Sequence, residues 1–394
     1  MVRVAVAGAG AFGRNHLRVL RELETEGAGA ALVAAVEPDA KRAEEAKAQY
    51  GIPVFSRVEE LLAADLKLDA ACVAVPTVKH HAVAAALLEA GLDLLVEKPL
   101  AANLREADSL IQIQEKNARI LQPGHLERFN PAVLAVEPRL KRPMFFEAHR
   151  LSVFTPRSLD VDVVLDLMIH DLDIVLTFAH SPVREVRAVG LPILSPKVDI
   201  ANVRVEFESG CVANFTASRV STEQVRKLRF FEPRQYVSID YARRDVLVIR
   251  IDDAGASAPA AELAQAAAEF LSTGKLDGAV IQRLLASGKI PADLLMKLAS
   301  AKNDPDKLKM MAKNLVETSN GPAPGLSFVK PEITPGEPLR FEILSFLESV
   351  RTRNAPRVTA RQGRAALELA LEIQSTMAAH AQRAGLSDFF NAGQ

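Results

Sequence analysis

The sequence predicts an α/β N-terminal Rossmann domain, built on a doubly wound parallel sheet, and an α+β C-terminal domain with a large open, mostly antiparallel sheet. Strands alternate with helices over the first third of the chain, whereas short alternating strands follow from about residue 143. A chain of 394 residues that is 49% hydrophobic is long enough to bury two cores. We place the two domains at residues 1–123 and 124–394.

The composition excludes several classes of partner. The formal net charge is −1, so no basic surplus indicates nucleic acid, and no apolar segment reaches the length that spans a membrane. The two cysteines, Cys72 and Cys211, stand in strand-like apolar contexts that are typical of buried thiols in a reducing compartment. The chain opens directly on a strand without a cleavable signal, so we expect a cytoplasmic protein.

A glycine-rich turn separates the first strand from the first helix in VRVAVAGAGAFGRNHLRVLREL. Gly8 permits a tight turn, Gly10 lets a pyrophosphate approach the backbone, and Gly13 lets the helix pack close to the strand. Free N–H groups at the start of that helix favour an anion. The pattern therefore predicts a dinucleotide-binding turn made of Gly8, Gly10, Ala11, Phe12 and Gly13.

An acidic residue ends the second strand, AALVAAV, at Glu37, which stands 24 residues after Gly13. This is close to the distance expected for the carboxylate that binds the ribose hydroxyls. A carboxylate there repels a 2′-phosphate, so NAD is favoured over NADP. The nearby Arg42 keeps NADP open as an alternative, although a solvated surface residue explains it as well.

Other chemically active residues follow later strands of the same sheet. Pro76 and Thr77 follow DAACVAV, Glu97 and Lys98 end LDLLVEKPL, and the segment 124–130 follows the next strand. In a doubly wound sheet these positions share the edge at which ligands bind. We therefore predict that they border one cleft.

The stretch VVLDLMIHDLDIVL predicts a helix that is buried on most sides but carries a narrow polar seam. At 100° per residue, four polar side chains project within about 80° of one another. They are Asp162, Asp166, His170 and Asp173. Structural ion pairs, a metal site or a catalytic Asp–His pair all remain open, although no third and fourth metal ligand stands at a suitable spacing. Asp171 lies off the seam and is interpreted as structural.

The second domain is predicted from seven short, largely alternating segments between residues 145 and 251. Residues 254–330 depart from this pattern, since they are rich in Ala, Leu and Lys with helical periodicity, and we interpret them as a helical insertion. Within and after it, SNGPAPGLSFVKPEITPGEP predicts a loop.

Taken in order, the glycine turn, VPTVKHH, EKP and DLMIH resemble the Gfo/Idh/MocA oxidoreductase family. The resemblance covers residues 1 to about 250 and resumes from about 337 to near 380. It implies an NAD-dependent sugar dehydrogenase that acts on a CH–OH group, with Lys98, Asp166 and His170 as catalytic residues. His170 would take the hydroxyl proton, Lys98 would bind the same oxygen, and Asp166 would hold the imidazole.

The resemblance also extends to the binding residues. His80 matches the cofactor-side histidine of the family. In addition to the glycine turn, the predicted cofactor-binding residues are therefore Glu37, Pro76, Thr77, His80, Glu97 and Lys98. The family commonly forms dimers through the face of its second sheet, so a homodimer or homotetramer is expected. No metal is expected.

The segments GHLERFNPAV and EAHRLSVFTPRSLDVDVVLDLMIHDLDIVL resemble the bacterial UDP-N-acetylglucosamine 3-dehydrogenase branch, associated with lipid A that carries a 3-amino sugar. A nucleotide-sugar substrate is therefore expected. Its predicted ligands are His125, Arg128, Asn130, Arg150 and Arg157. Alternatives are the dehydrogenation of another sugar or a cyclitol, and a dinucleotide-binding regulator without catalysis.

Overall fold

The computed structural model describes residues 1–155, 161–251, 265, 267–272, 304–319 and 326–386. The chain divides into two compact units. One contains Met1–Arg229, Ile239–Asp245 and Glu332–Gln394, and the other contains Phe230–Ser238 and Val246–Pro331. All the site residues discussed below belong to the first unit.

The N-terminal part forms a six-stranded, wholly parallel sheet in the order β3-β2-β1-β4-β5-β6. Its strands are β1 (Val2–Ala7), β2 (Ala30–Val36), β3 (Val54–Phe55), β4 (Ala70–Val73), β5 (Asp93–Glu97) and β6 (Leu121–Gly124). The predicted doubly wound parallel sheet is confirmed. The glycine turn and the residues that follow β2, β4, β5 and β6 therefore lie at one edge of the sheet.

Five helices connect these strands: α1 (Ala11–Thr25), α2 (Ala40–Tyr50), α3 (Val58–Ala63), α4 (Thr77–Glu89) and α5 (Leu104–Lys116). Local chemistry fixes several of their ends. The Asp39 side chain caps the start of α2, and Gly51 ends that helix with a left-handed φ of 62°. Asn103 caps α5 in the same way by accepting from the Glu106 N–H.

The parallel sheet is buried on both faces. Side chains of β1 alternate, so Val4 and Val6 pack into one core while Ala5 and Ala7 pack into the other. Helix α9 (Pro338–Thr352) contributes to the first core, although it lies more than 200 residues further along the chain. The sequence boundary at residue 123 remains a prediction.

Several short helical segments follow the parallel sheet along the chain. They are a 3₁₀ turn (Leu126–Phe129), α6 (Pro131–Val136), a second 3₁₀ turn (Glu137–Arg139), a π-helical segment (Val164–Met168) and α7 (Ile169–Ala179). The predicted polar-seamed helix is thus present, but its first turn is π-helical. Its apolar residues are largely buried, as predicted.

The second sheet has eight strands in the order β14-β13-β12-β11-β7-β10-β9-β8. They are β7 (Phe145–Leu151), β8 (Val183–Leu191), β9 (Ile200–Phe207), β10 (Val212–Ser218), β11 (Val225–Glu232), β12 (Gln235–Asp240), β13 (Asp245–Ile251) and β14 (Leu326–Val329). The mostly antiparallel sheet is confirmed, with β7 and β10 parallel. Strand β14 was predicted as loop, and this is wrong because LSFV pairs with β13, a contact remote in sequence.

Two further helices are α8 (Pro305–Ser319) and α10 (Ala360–Arg383). Helix α10 begins with a reciprocal capping box between Thr359 and Gln362. The predicted insertion at 254–330 falls largely outside the described residues. Within the described part of the chain, the helices are too short or too polar to cross a membrane.

Candidate active site

The glycine turn has little room for any side chain. Gly8 has a φ of +97°, and a Cβ there would lie 2.5 Å from the Ala74 carbonyl oxygen. A Cβ on Gly13 would lie 1.8 Å from the Gly8 carbonyl oxygen. Gly10 differs, because a Cβ there would meet nothing within 4 Å. The turn is therefore packed tightly on the protein side and open at the position predicted to face a pyrophosphate.

A cleft of about 670 Å³ opens at this turn. Six of the predicted cofactor residues line it: Gly8, Gly10, Ala11, Phe12, Glu37 and Pro76. The Phe12 side chain is 59% exposed at the first turn of α1. An open backbone turn, a helix start and an apolar wall suit the diphosphate and a flanking ring of a dinucleotide.

Glu37 is only 4% exposed and its carboxylate is held from both sides. One oxygen accepts from the Ala9 N–H at 2.8 Å, and the other accepts from Asp39 N–H and the Arg42 guanidinium at 3.0 and 2.9 Å. The side chain thus ties the glycine turn to the end of β2. Arg42 contacts Glu37 directly, so the two residues weighed for NAD and NADP form one ion pair.

Thr77 and His80 lie in the first turn of α4, beside the glycine turn. His80 is buried, and its ring nitrogens lie 2.8 Å from the Pro99 carbonyl and 2.9 Å from the Val75 carbonyl. Burial lowers the pKa of His80. This imidazole joins the segment after β4 to the EKP segment after β5, so it supports the loops that carry the predicted cofactor residues.

Glu97 is paired with a histidine that the sequence did not single out. Its carboxylate lies 2.8 Å from Nε2 of His16, which is 1% exposed on α1. Burial opposes the charged imidazole, yet the Cys72 thiol and the Glu97 carboxylate raise the pKa of His16 well above its ordinary value. The pair holds the residue before Lys98 in place. The missed signal is that His16 faces the strands on the buried side of an amphipathic helix.

Lys98 extends from the end of β5 to the π-helical segment. Its Nζ donates to the Asp166 carbonyl at 2.7 Å, approaches the Leu165 carbonyl at 3.4 Å and lies 3.9 Å from the Asp166 carboxylate. Burial lowers the pKa of Lys98, while Asp166 and Glu97 oppose this shift. An ammonium has three donors, so these contacts aim the group while leaving capacity for a ligand oxygen.

His170 follows this segment on α7. Burial, together with the positive charges of Lys98 and Arg150, lowers the pKa of His170 well below its ordinary value, and His125 and Arg226 add to the shift. The imidazole is therefore neutral at neutral pH. A neutral ring can accept a proton, which a general base requires.

The expected hydrogen bond from Asp166 to His170 is absent, and this expectation needs correction. Asp166 makes its ion pair with Lys98, and Nδ1 of His170 has no hydrogen-bond partner among the described residues. The α-helical spacing assumed for this pair does not hold, because the Ile169 N–H donates to the Val164 carbonyl five residues earlier. Asp166 therefore acts on the lysine rather than on the imidazole.

Arg150 is engaged inside the protein. Its guanidinium donates to both Asp171 oxygens at 2.7 and 2.9 Å and to Glu127 at 3.1 Å, and it lies 5.1 Å from the centre of the Tyr241 ring. Burial acts to lower the pKa of Arg150, but the two carboxylates raise it above its ordinary value. These contacts agree with a structural Asp171 and argue against Arg150 as a free ligand for a substrate diphosphate.

Arg128 is also enclosed, at 3% exposure. It donates to the Thr177 hydroxyl and lies 3.6 Å from the Asp173 carboxylate. His125 lies 3.8 Å from the other oxygen of Asp173, and neither of its ring nitrogens has a hydrogen-bond partner among the described residues. Burial lowers the pKa of His125. Its nitrogens remain available to a ligand or to water, whereas the charge of Arg128 is already offset.

Asn130 serves the backbone. Its side-chain oxygen accepts from the Ala132 N–H at 3.1 Å and caps α6, and its amide donates to Glu127 at 3.0 Å and to the Tyr241 carbonyl at 3.2 Å. This full set of contacts argues against the predicted role in substrate binding. Arg157, the remaining predicted ligand, lies outside the described residues. Across the described ranges, no group of three or more metal-ligating side chains comes together.

Family models match two consecutive parts of the chain. The profile described as "Oxidoreductase family, NAD-binding Rossmann fold", of the Gfo/Idh/MocA family, matches residues 2–125. The profile of the GFO/IDH/MocA C-terminal domain matches residues 133–233. Together these matches span more than half of the chain.

Characterised relatives are dehydrogenases. UDP-N-acetylglucosamine 3-dehydrogenase of Acidithiobacillus ferrooxidans is 37% identical over 241 residues, covering 61% of this chain and 74% of that protein. A solved structure of that enzyme has a TM-score of 0.73 at 28% identity and covers 96% of this chain and 97% of its own. The NAD(+)-dependent scyllo-inositol 2-dehydrogenase of Bacillus subtilis is 28% identical over 235 residues, covering 56% of this chain and 68% of that protein. The chain therefore belongs to the Gfo/Idh/MocA family of NAD-dependent oxidoreductases.

Proposed function

We propose that this enzyme oxidises the 3-hydroxyl of UDP-N-acetylglucosamine to the 3-keto sugar. The observation that carries the proposal is the convergence of Lys98 and His170. The ammonium of Lys98 is held against the backbone of the segment that leads into α7, and its charge lowers the pKa of His170. The 37% identity to a UDP-N-acetylglucosamine 3-dehydrogenase supports the choice of substrate.

Three side chains have separate roles in removing the proton from the secondary alcohol of the substrate. His170, neutral because of burial and nearby cations, accepts the hydroxyl proton. Lys98 donates to the same oxygen and opposes the negative charge that develops there. Asp166 and the backbone carbonyls keep the ammonium in position. When bound along the glycine turn and Glu37, NAD supplies the hydride acceptor.

A second candidate is the oxidation of an uncharged sugar or cyclitol. It is supported by the burial and pairing of Arg128 and Arg150, since both guanidinium groups lie inside the protein beside carboxylates. The B. subtilis relative acts on an inositol. A regulator without catalysis is less well supported, because Lys98, Asp166 and His170 are all retained.

The proposal also covers the use of the product and the oligomeric state. A 3-keto sugar is a substrate for amino transfer, so the product would feed the synthesis of lipid A that carries a 3-amino sugar. We also propose a homodimer or homotetramer formed through the second sheet.

The deciding experiment is a substrate panel. The protein is incubated with NAD and, in turn, UDP-N-acetylglucosamine, free N-acetylglucosamine and inositols, while NADH absorbance is followed. We expect turnover on the UDP-sugar and much poorer turnover on the free sugar, because remote binding energy positions the reacting carbon. Product analysis by NMR must place the ketone at carbon 3. Equal kcat/KM for the free sugar, or oxidation at another carbon, contradicts the proposal.

A further inference from the structure

The cations around His170 differ in whether the protein already neutralises them. Arg150 is bound by two carboxylates, and Lys98 lies beside the Asp166 carboxylate and two backbone carbonyls. Arg128, which is also buried, lies beside Asp173. An anionic substrate group gains little from a cation whose charge is already offset.

Arg226 is the exception in this group. It stands on β11, and its side chain forms no ion pair or hydrogen bond within the described residues. It is partly buried, and its positive charge is among those that lower the pKa of His170. Its backbone carbonyl accepts from the Tyr241 N–H at 2.9 Å, and the Tyr241 ring lies beneath Arg150.

The alternation of β11 sets the direction in which Arg226 points. Leu228 and Phe230 are fully buried, so even-numbered positions face the interior and Arg226 shares their face. Arg229 lies on the opposite face, where it pairs with Glu147 at 2.9 Å.

The neighbouring strand β7 has the same arrangement. There Phe146, Ala148 and Arg150 are the buried positions, while Glu147 faces the other way with Arg229. Arg226 and Arg150 therefore extend from one face of adjacent strands. On this face Arg150 is neutralised and Arg226 is not.

We propose that Arg226 binds the diphosphate of the substrate and is the specificity-determining cation of the sugar site. This inference rests on the proposed nucleotide-sugar function and assigns to Arg226 the role that sequence reasoning gave to Arg128 and Arg150. A guanidinium binds phosphate oxygens through two parallel N–H donors, and an unpaired one loses no protein contact when the ligand binds. Arg226 shares a sheet face with Arg150, which contacts Asp171, the residue after His170, so a substrate anchored by Arg226 has its reacting end on the side of the sheet that carries the proposed base.

The test compares Arg226→Gln with Arg229→Gln, which removes a guanidinium from the same strand but from the opposite face. UDP is titrated into each protein by calorimetry at saturating NAD, so that the dinucleotide site is filled. We expect Arg226→Gln to bind UDP about 10- to 100-fold more weakly, the effect of losing a charge-assisted contact. Arg229→Gln should bind UDP like the unmodified protein.

Steady-state kinetics separate the two proposals. If both hold, Arg226→Gln lowers kcat/KM for UDP-N-acetylglucosamine far more than that for free N-acetylglucosamine, because the free sugar has no phosphate to lose. Both are measured at a pH on the plateau above the pKa of His170, where the charge of Arg226 no longer affects the protonation of the base. If UDP binding depends on Arg226 while UDP-N-acetylglucosamine is not oxidised, the anion site stands and the proposed reaction fails. Failure of the unmodified protein to bind UDP, or equal UDP affinity in Arg226→Gln, overturns the role of Arg226.

A measurement on the unmodified protein covers the case in which Arg226→Gln does not fold. Phenylglyoxal modifies accessible arginines, and peptide mass spectrometry reports Arg226 and Arg229 from the same region. UDP added at saturating NAD should protect Arg226 and leave the modification of Arg229 unchanged. Equal modification of Arg226 with and without UDP rejects the assignment.

Discussion

The glycine turn and the region around α7 carry the two halves of the site, and they differ in which part of the chain does the chemistry. In the turn, backbone N–H groups and the absence of side chains matter, as the 1.8 Å approach to Gly8 from a Cβ on Gly13 makes plain. Around α7, charged side chains matter, and their pairing decides which of them has a charge that the protein has not offset. Backbone geometry is encoded locally, whereas the availability of a charge is decided by residues far apart in sequence.

The largest expected effect lies on the α7 side. Lys98→Met should lower turnover by about 10²- to 10⁴-fold, since it removes the cation that stabilises the developing oxyanion. NAD affinity, measured by calorimetry, should change little because the glycine turn is untouched. The exposed Lys116→Met on α5 is the matched control and should keep full turnover. Near-normal turnover of Lys98→Met would remove Lys98 from the mechanism.

Loss of the buried Arg150–Asp171 ion pair should lower the free energy of unfolding more than loss of an exposed ion pair. Asp171→Ala should lower the free energy of unfolding by about 3–5 kcal/mol, because Arg150 would lose both of its short contacts to Asp171 in the interior. Glu185→Ala, which removes the exposed partner of Arg187, should cost about 0–1 kcal/mol. Denaturant unfolding measures both. Equal costs would show that Arg150 is not held mainly by Asp171.

The preference for NAD over NADP tests the glycine-turn side of the site. Glu37→Ala should raise the NADP affinity relative to NAD by about tenfold, because it removes the carboxylate that repels a 2′-phosphate and frees Arg42 to bind one. Glu44→Ala, an exposed change on α2, should leave the ratio unaltered. Calorimetric titration of both cofactors gives the ratio. An unchanged ratio in Glu37→Ala would mean that Glu37 only ties the turn to β2.

The smallest expected effect is a shift in a pH profile. With His170 as the proposed base, kcat/KM should rise with pH and level off above the pKa of His170, which burial, Lys98, Arg150, His125 and Arg226 lower well below its ordinary value. Removing one positive charge in Arg226→Gln makes protonation easier, so the acid limb should move toward higher pH. Profiles measured on free N-acetylglucosamine avoid any effect on diphosphate binding. A shift toward lower pH would contradict this electrostatic account.

Local pattern alone determined much of this protein. The period of the strands and helices, the Gly8–Gly13 spacing and the caps at Asp39 and Asn103 are short-range features, and the parallel and mostly antiparallel sheets follow from them. The polar seam could be recognised from the sequence, because a carboxylate or imidazole within an apolar helix needs a partner wherever it lies; its functional role remains a prediction.

Tertiary structure decided how the charges pair. Asp166, in the π-helical turn, pairs with Lys98, and Arg150 on β7 pairs with Asp171 on α7, which leaves Arg226 as the partnerless guanidinium among the cations named around His170 in the described structure. A charge's partner depends on distances of a few ångströms between residues remote in sequence, and Coulomb energies change steeply over that range in a buried setting. Residue type and spacing do not give those distances, so the sequence predicts a binding region there but not which arginine lacks a partner.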